Sequence, residues 1–428
     1  MWFIINYLFG NENTKRDTVN KNELQISDDN ITLKHGNTFK QIQAGSDHSL
    51  ILTTKGSVFS WGLNSDGQCG LGSTHPKHVV NPSPILSFES LLNNNETITH
   101  ISAGGHHNLA LTSLGSLYSW GRNEYGQCGL GLSQRKILTP TKISKFDELL
   151  DYGESITHIS TGSFHCLALS NKGTIFCWGS NSDGQCGLSD SLLNSPTKLA
   201  LDDLGIDEFI VSLFTGNNHS LALSNCGSVF CWGSNDSGQC GVDLSHKKVR
   251  PMKIPFFEVL SDKIIQIYAG GYHSFSLDSR GHLYCWGSNN KGQCGIQGHC
   301  DVLSTPHHLV RFDHLLSSNE YISQVVVGDC HSVVLTSAGT VYSWGWNNKG
   351  QCGFDSNVEE ILYPTKVQKL DPSVDKIIQL YAGSYHTLAL SSSDSVYCWG
   401  WNDKGQCGLV FSLENVFCPS KISSFDQI

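Results

Sequence analysis

The string Trp-Gly-x-Asn-x-x-Gly-Gln-Cys-Gly occurs seven times without a mismatch, beginning at Trp61, Trp120, Trp178, Trp232, Trp286, Trp344 and Trp399. Copies follow one another at 54 to 59 residues. A string repeated at that period marks a repeat architecture, in which one supersecondary unit stacks on copies of itself. A histidine stands 13 residues ahead of each tryptophan, at His48, His107, His165, His219, His273, His331 and His386, always as Gly-x-x-His. The repeats fill residues 37–428 as one domain, and residues 1–36 are expected to form a separate, partly disordered amino-terminal segment.

One unit shows what is repeated. Pro140–Ile143 (PTKI), Ile156–Thr161 (ITHIST), His165–Ser170 (HCLALS) and Thr174–Gly179 (TIFCWG) are short apolar or alternating runs bounded by Gly, Asn, Asp or Ser. Such runs read as strands, and Asn171-Lys172-Gly173 reads as a tight hairpin. Charged residues at 15% and 43 glycines fit turn-rich β structure better than helix. The fold class expected is all-β, a seven-bladed β-propeller of four-stranded antiparallel blades. The ring is expected to close by pairing of the chain ends. A Pro-x-Lys-Ile strand is missing before Gln41, and a spare copy, Pro419–Ile422, stands at the carboxyl end. That copy is expected to pair with Lys40–Ala44, with Asn30–Leu33 as the competing strand.

The Gly-x-x-His, Trp-Gly-x-Asn and Gly-Gln-x-Gly punctuation resembles the regulator of chromosome condensation repeat, whose members fold as seven-bladed propellers. One departure is uniform. Where that family usually has Leu after Gly-Gln, this chain has Cys69, Cys128, Cys186, Cys240, Cys294, Cys352 and Cys407.

Seven histidines and seven cysteines raise the question of a metal, but one of each per blade, spread around a ring, cannot converge on a single ion. The plainer expectation is that each histidine caps a turn through backbone hydrogen bonds and each cysteine fills a buried gap. No cofactor, metal or catalytic residue is expected, because no nucleophile has a base beside it and no phosphate-binding Gly-x-x-x-x-Gly-Lys-Ser/Thr loop occurs. The net charge of −10 opposes binding to a phosphate backbone, so no direct nucleic acid contact is expected. The amino terminus is too short to span a membrane, and thiols in step with the repeat suit a reducing compartment. A monomer in the cytoplasm, the nucleus or both is the expectation.

The partner expected is therefore a protein, with the propeller acting as adaptor or regulatory subunit. The resemblance offers an alternative, guanine-nucleotide exchange on a small GTPase, Ran or another. It also offers ultraviolet sensing, which plant photoreceptors of this kind perform through Trp in Gly-Trp-Arg-His loops; the corresponding loops here hold no Trp. The family places the residues between Gly and His on the partner-binding face, which transfers to Asp47, Tyr272, Asp329 and Tyr385. Trp346 and Trp401, at the x of Trp-Gly-x-Asn, should lie on the same side, either as binding aromatics or folded back between blades.

Overall fold

The computed structural model describes residues 39–427, apart from 74, 94, 297–299 and 410–413. The expected amino-terminal segment and Asn30–Leu33 lie outside the described residues. Seven four-stranded antiparallel sheets are formed, each from four strands consecutive in the chain. The first blade is β1 (Phe39–Ala44), β2 (His48–Thr53), β3 (Val58–Leu63) and β4 (His78–Pro84). The strands then number on in fours to the seventh blade, β25 (Ile377–Ala382), β26 (His386–Ser391), β27 (Val396–Gly400) and β28 (Val416–Lys421). The second strand of every blade is buried at all six positions. Neighbouring blades cover both of its faces, which is why it reads as an apolar run and not as an alternation. No helix among the described residues is long and apolar enough to cross a membrane.

The frame of the repeat differs from the sequence reading by one strand. The Pro-x-Lys strand is the outermost strand of the blade before it, pairing with the Trp-Gly strand: Phe176 lies opposite Lys198, and Tyr397 opposite Lys421. The first blade therefore lacks nothing, and the carboxyl-terminal strand is not spare. β28 pairs with β27 and not with Lys40–Ala44, so the expected sharing of a blade between the chain ends is incorrect. Blades one and seven are each complete and close the ring side by side.

The seam they make is the same one found between the other blades. Each histidine Nε2 lies 2.7 to 3.1 Å from the side chain that follows the next blade's histidine: Asn108, Cys166, Ser220, Ser274, Ser332, Thr387 and, across the closure from His386, Ser49. That side chain in turn donates to the Gly-Gln-Cys-Gly glutamine carbonyl of the preceding blade, as Ser49 Oγ does to Gln406. The repeat tryptophan donates Nε1–H to the same carbonyl at 2.8 to 3.0 Å in all seven blades. A hydroxyl that has given its proton to a carbonyl can only accept from the imidazole, which assigns the histidine proton to Nε2. Burial pushes these imidazoles down, His48 to about 4 and His107, His165, His219, His273, His331 and His386 to about 3. The histidine side chains thus join blade to blade, where capping of their own turns was expected.

Two glycines of the repeat are required by this packing. The Gly of Gly-x-x-His lies under the imidazole; a Cβ on Gly328 would stand 2.2 Å from His331 Cε1. The last Gly of Gly-Gln-Cys-Gly, at φ near +69° in Gly70, leaves room for the next blade's Trp120 indole. The seven tryptophans that open the repeat string are fully buried, and a side chain of that size contributes roughly 4–6 kcal/mol of apolar transfer. The seven repeat cysteines are also fully buried, as expected, and all sixteen cysteines are free thiols.

Candidate partner-binding face

The backbone fixes which loops share a face. In each blade the residue before the histidine presents its carbonyl to the N–H at the x of Trp-Gly-x-Asn: Asp47 to Leu63, Cys330 to Trp346 and Tyr385 to Trp401, at 2.7 to 2.8 Å. The two kinds of loop therefore lie side by side, as the alternation of strand direction predicts. Within the second loop, Asn64 Oδ1 accepts from Cys69 N and Gln68 Oε1 accepts from Asp66 N, so two side chains of the repeat lock the turn from inside.

On this scaffold Trp346 from blade six and Trp401 from blade seven flank Tyr385. Their ring centroids are 5.7 and 5.8 Å from that of Tyr385, both edge to face. All three are half-buried, so neither tryptophan is folded back into the core. Lys291, ion-paired to Glu360, stands 6.0 Å from the Trp346 ring, and Lys404, ion-paired to Asp403, stands 5.9 Å from that of Trp401. Tyr272, in blade five, is the most open of the six predicted residues, at 42% exposed. Burial pushes the Tyr385 phenol up, and the negative charges of Asp329 and Asp47 add to the effect.

The two acids differ in setting. Asp47 is half-buried, its Oδ1 makes no hydrogen bond, and burial followed by the charge of Asp403 raises its carboxyl, against the pull of His106 and Lys404. Asp329 is tied into a collar built from the first two positions of each Gly-x-x-His loop. Its Oδ1 accepts from Asn217 Nδ2 at 3.0 Å, its backbone N–H donates to Ser384, and Ser384 Oγ continues to Ser46. Burial holds its carboxyl at about 6, above the usual carboxylate range, although hydrogen bonds from Asn217 and Ser384 lower it.

A second aromatic group on the same face was not anticipated. Arg122 lies 5.6 Å over the Phe164 ring and 5.9 Å from that of Tyr125, and Tyr125 and Phe164 meet edge to face at 5.2 Å. The rule that would have found it is the one relating Trp346 to Tyr385: the x residue of one blade meets the residue before the histidine of the next.

Models of known families agree with this architecture. The RCC1-like domain matches residues 147–428, and the regulator of chromosome condensation (RCC1) repeat matches residues 55–111 and 115–169. The chain belongs to the RCC1 repeat family. RCC1-type relatives include the ultraviolet-B receptor UVR8 of Arabidopsis thaliana, 31% identical across 88% of this chain and 80% of that protein. The secretion-regulating guanine nucleotide exchange factor of Bos taurus is 31% identical across 83% of this chain and 76% of that protein. Among solved structures, the RCC1-type propeller of Prp20p from Saccharomyces cerevisiae shares the fold, with a TM-score of 0.73 and 24% identity over 90% of this chain and 87% of that one.

Proposed function

We propose that this RCC1-type propeller is a protein-binding subunit, and that the arc of blades five, six, seven and one on the Gly-x-x-His face is where the partner docks. The observation that carries this reading is the Trp346–Tyr385–Trp401 stack. Blades one to five place Leu63, Arg122 or Ser at the x position, so the fold itself has no need of an indole there. Large aromatics on an open rim are the residues enriched at binding hot spots, where truncating one costs about 2 kcal/mol or more. Half-buried Asp47 stands at one end of the arc and the exposed Tyr272 phenol at the other. Sixteen free thiols suit work in the cytoplasm or nucleus.

A second reading, guanine-nucleotide exchange on a small GTPase, draws on the relative named as an exchange factor and matched over 76% of its length. It asks for the same face, because displacing a nucleotide from a partner takes binding energy and no acid–base pair on the propeller. The repeat histidines are buried in the blade seams and take no part in either reading.

The test is a Tyr272→Ala, Trp346→Ala, Tyr385→Ala, Trp401→Ala variant used as bait beside the native chain, with and without EDTA to strip nucleotide. Loss of specific partners with Tm changed by less than about 3 °C supports the docking arc. A GTPase enriched by EDTA, whose bound nucleotide is then released faster by the purified chain, selects the exchange reading. Partners retained by the variant would place docking elsewhere on the ring.

A further inference from the structure

Because the chain contains seven versions of one blade, each position can be compared with its own equivalents, and blade five departs from the other six at three places that meet in space. The first is the hairpin acceptor at the end of the second strand. Thr53, Thr112, Ser170, Ser224, Thr336 and Ser391 accept there, through a hydroxyl, the N–H of the residue four further on. Blade five has Asp278, whose Oδ1 accepts from His282 N at 2.9 Å. The second is the residue four further on, Ser or Thr in six blades and His282 in this one. The third is the outer-strand residue opposite the blade's aromatic. It is Lys142, Lys198, Lys253, Lys366 and Lys421 in five blades and Pro84 in the first, but His308 opposite Tyr284 here.

The result is a cluster in which one ligand atom each from His282, His308 and Asp313 all lie within 4.8 Å of one another. His308 Nε2 stands 2.9 Å from Asp313 Oδ2 yet makes no hydrogen bond. Two ligands of one tetrahedral ion sit about 3.3 Å apart when its bonds are about 2.0–2.1 Å. The fully buried Asp278 completes the arrangement, since its Oδ2 is 2.9 Å from His282 Nδ1 and takes a further bond from the Tyr284 hydroxyl at 3.3 Å. A carboxylate on one imidazole nitrogen orients the ring and leaves the other nitrogen for a metal. In blade two the corresponding acid, Asp147, is ion-paired to Lys142, so the acid is common to both blades and the two imidazoles are what blade five adds.

We propose that His282, His308 and Asp313 form a site for a first-row divalent transition ion, with zinc the best match to two imidazoles and one carboxylate, and Asp278 as the residue that positions His282. It is separate from the repeat histidines and cysteines, which stay in the blade seams. The three ligands come from the β18 (His273–Asp278) to β19 (Leu283–Ser288) hairpin, the outer strand β20 (Val302–His308) and the short helix Val310–Asp313, so a bound ion clamps the outer half of blade five. Three protein ligands leave a fourth position open to water.

The test compares the native chain, stripped by chelator and dialysed, with a His282→Ser, His308→Lys variant. That variant restores the residues of the sister blades and so should fold. Titration calorimetry should show one tight zinc equivalent in the native chain and none in the variant, with zinc raising Tm only in the native chain. Asp278→Ser should weaken binding about tenfold or more. Cobalt(II) should give visible d–d bands without a thiolate charge-transfer band. Equal binding by native and variant chains, a thiolate band, or no tight equivalent in the native chain would overturn the assignment.

Discussion

At the scale of single residues, the buried histidines make the fold sensitive to acid. Each is held near 3 to 4, well below its ordinary value of 6.5. Below about pH 6.5 the unfolded chain binds protons that the folded one refuses, so stability is fully present above that pH and is lost as pH falls toward 3. Each histidine forfeits about 1.4 kcal/mol per pH unit in that window. Seven together should unfold the ring near pH 5, ahead of most carboxylates. Circular dichroism against pH reads the transition, and a His331→Gln chain should take up about one proton fewer on unfolding. A native spectrum retained at pH 4 would contradict the neutral, seam-forming role. Adding a methyl at Gly328 forces apart His331 and the Gly383 carbonyl, 2.8 Å from the new Cβ. Gly328→Ala should therefore lower stability by about 1–3 kcal/mol, as overpacking does, in a denaturant titration.

At the scale of strands and blades, the carboxyl-terminal strand is structural for a reason other than the one the sequence suggested. β28 forms the outer edge of blade seven, and the residues after it cover the closure: Phe425 packs at 5.0 Å on Phe39 and 5.7 Å on Trp61 of blade one. Removing residues 416–428 should expose a sheet edge and uncover Trp61, lowering Tm sharply; an unchanged melting curve would show the strand to be dispensable. Blade number, strand content and the buried Trp and Cys were all legible in the sequence, because a seven-fold string names them directly. The strand frame was not. Pro140–Ile143 stands between two Trp-Gly units, and nothing in those four residues says which neighbour they pair with. The histidine's partner was hidden for a related reason. Ser, Thr, Asn and Cys share that position, so the conserved feature is a hydrogen-bonding capacity and not a letter. On the candidate face, Trp346 and Trp401 were visible as exceptions to the repeat, while Arg122 and Phe164 needed the spatial rule that links adjacent blades.

At the scale of the whole molecule, the docking arc and the blade-five cluster lie at opposite ends of the strands, since Tyr272 precedes β18 and Asp278 ends it. The four-residue aromatic variant should therefore bind zinc as the native chain does, and the effects of the two sets of changes should add. A zinc affinity changed several-fold by the aromatic substitutions would reveal coupling through the blade. The seam between blades one and seven is joined through His386, Ser49, Gln406 and Trp61 by the same pattern of contacts as the other six, where Ser, Thr, Asn or Cys takes the second place, and this has a consequence for damage. An open solenoid frays from its end repeats, but every blade here has a neighbour on each side. Cutting the backbone once, at a fully exposed point such as Tyr152, breaks a covalent link while leaving all seven seams in place. The nicked molecule should elute on gel filtration at the volume of the intact one and fall into two pieces only in denaturant, so that the propeller behaves as a hoop whose integrity does not depend on an unbroken thread.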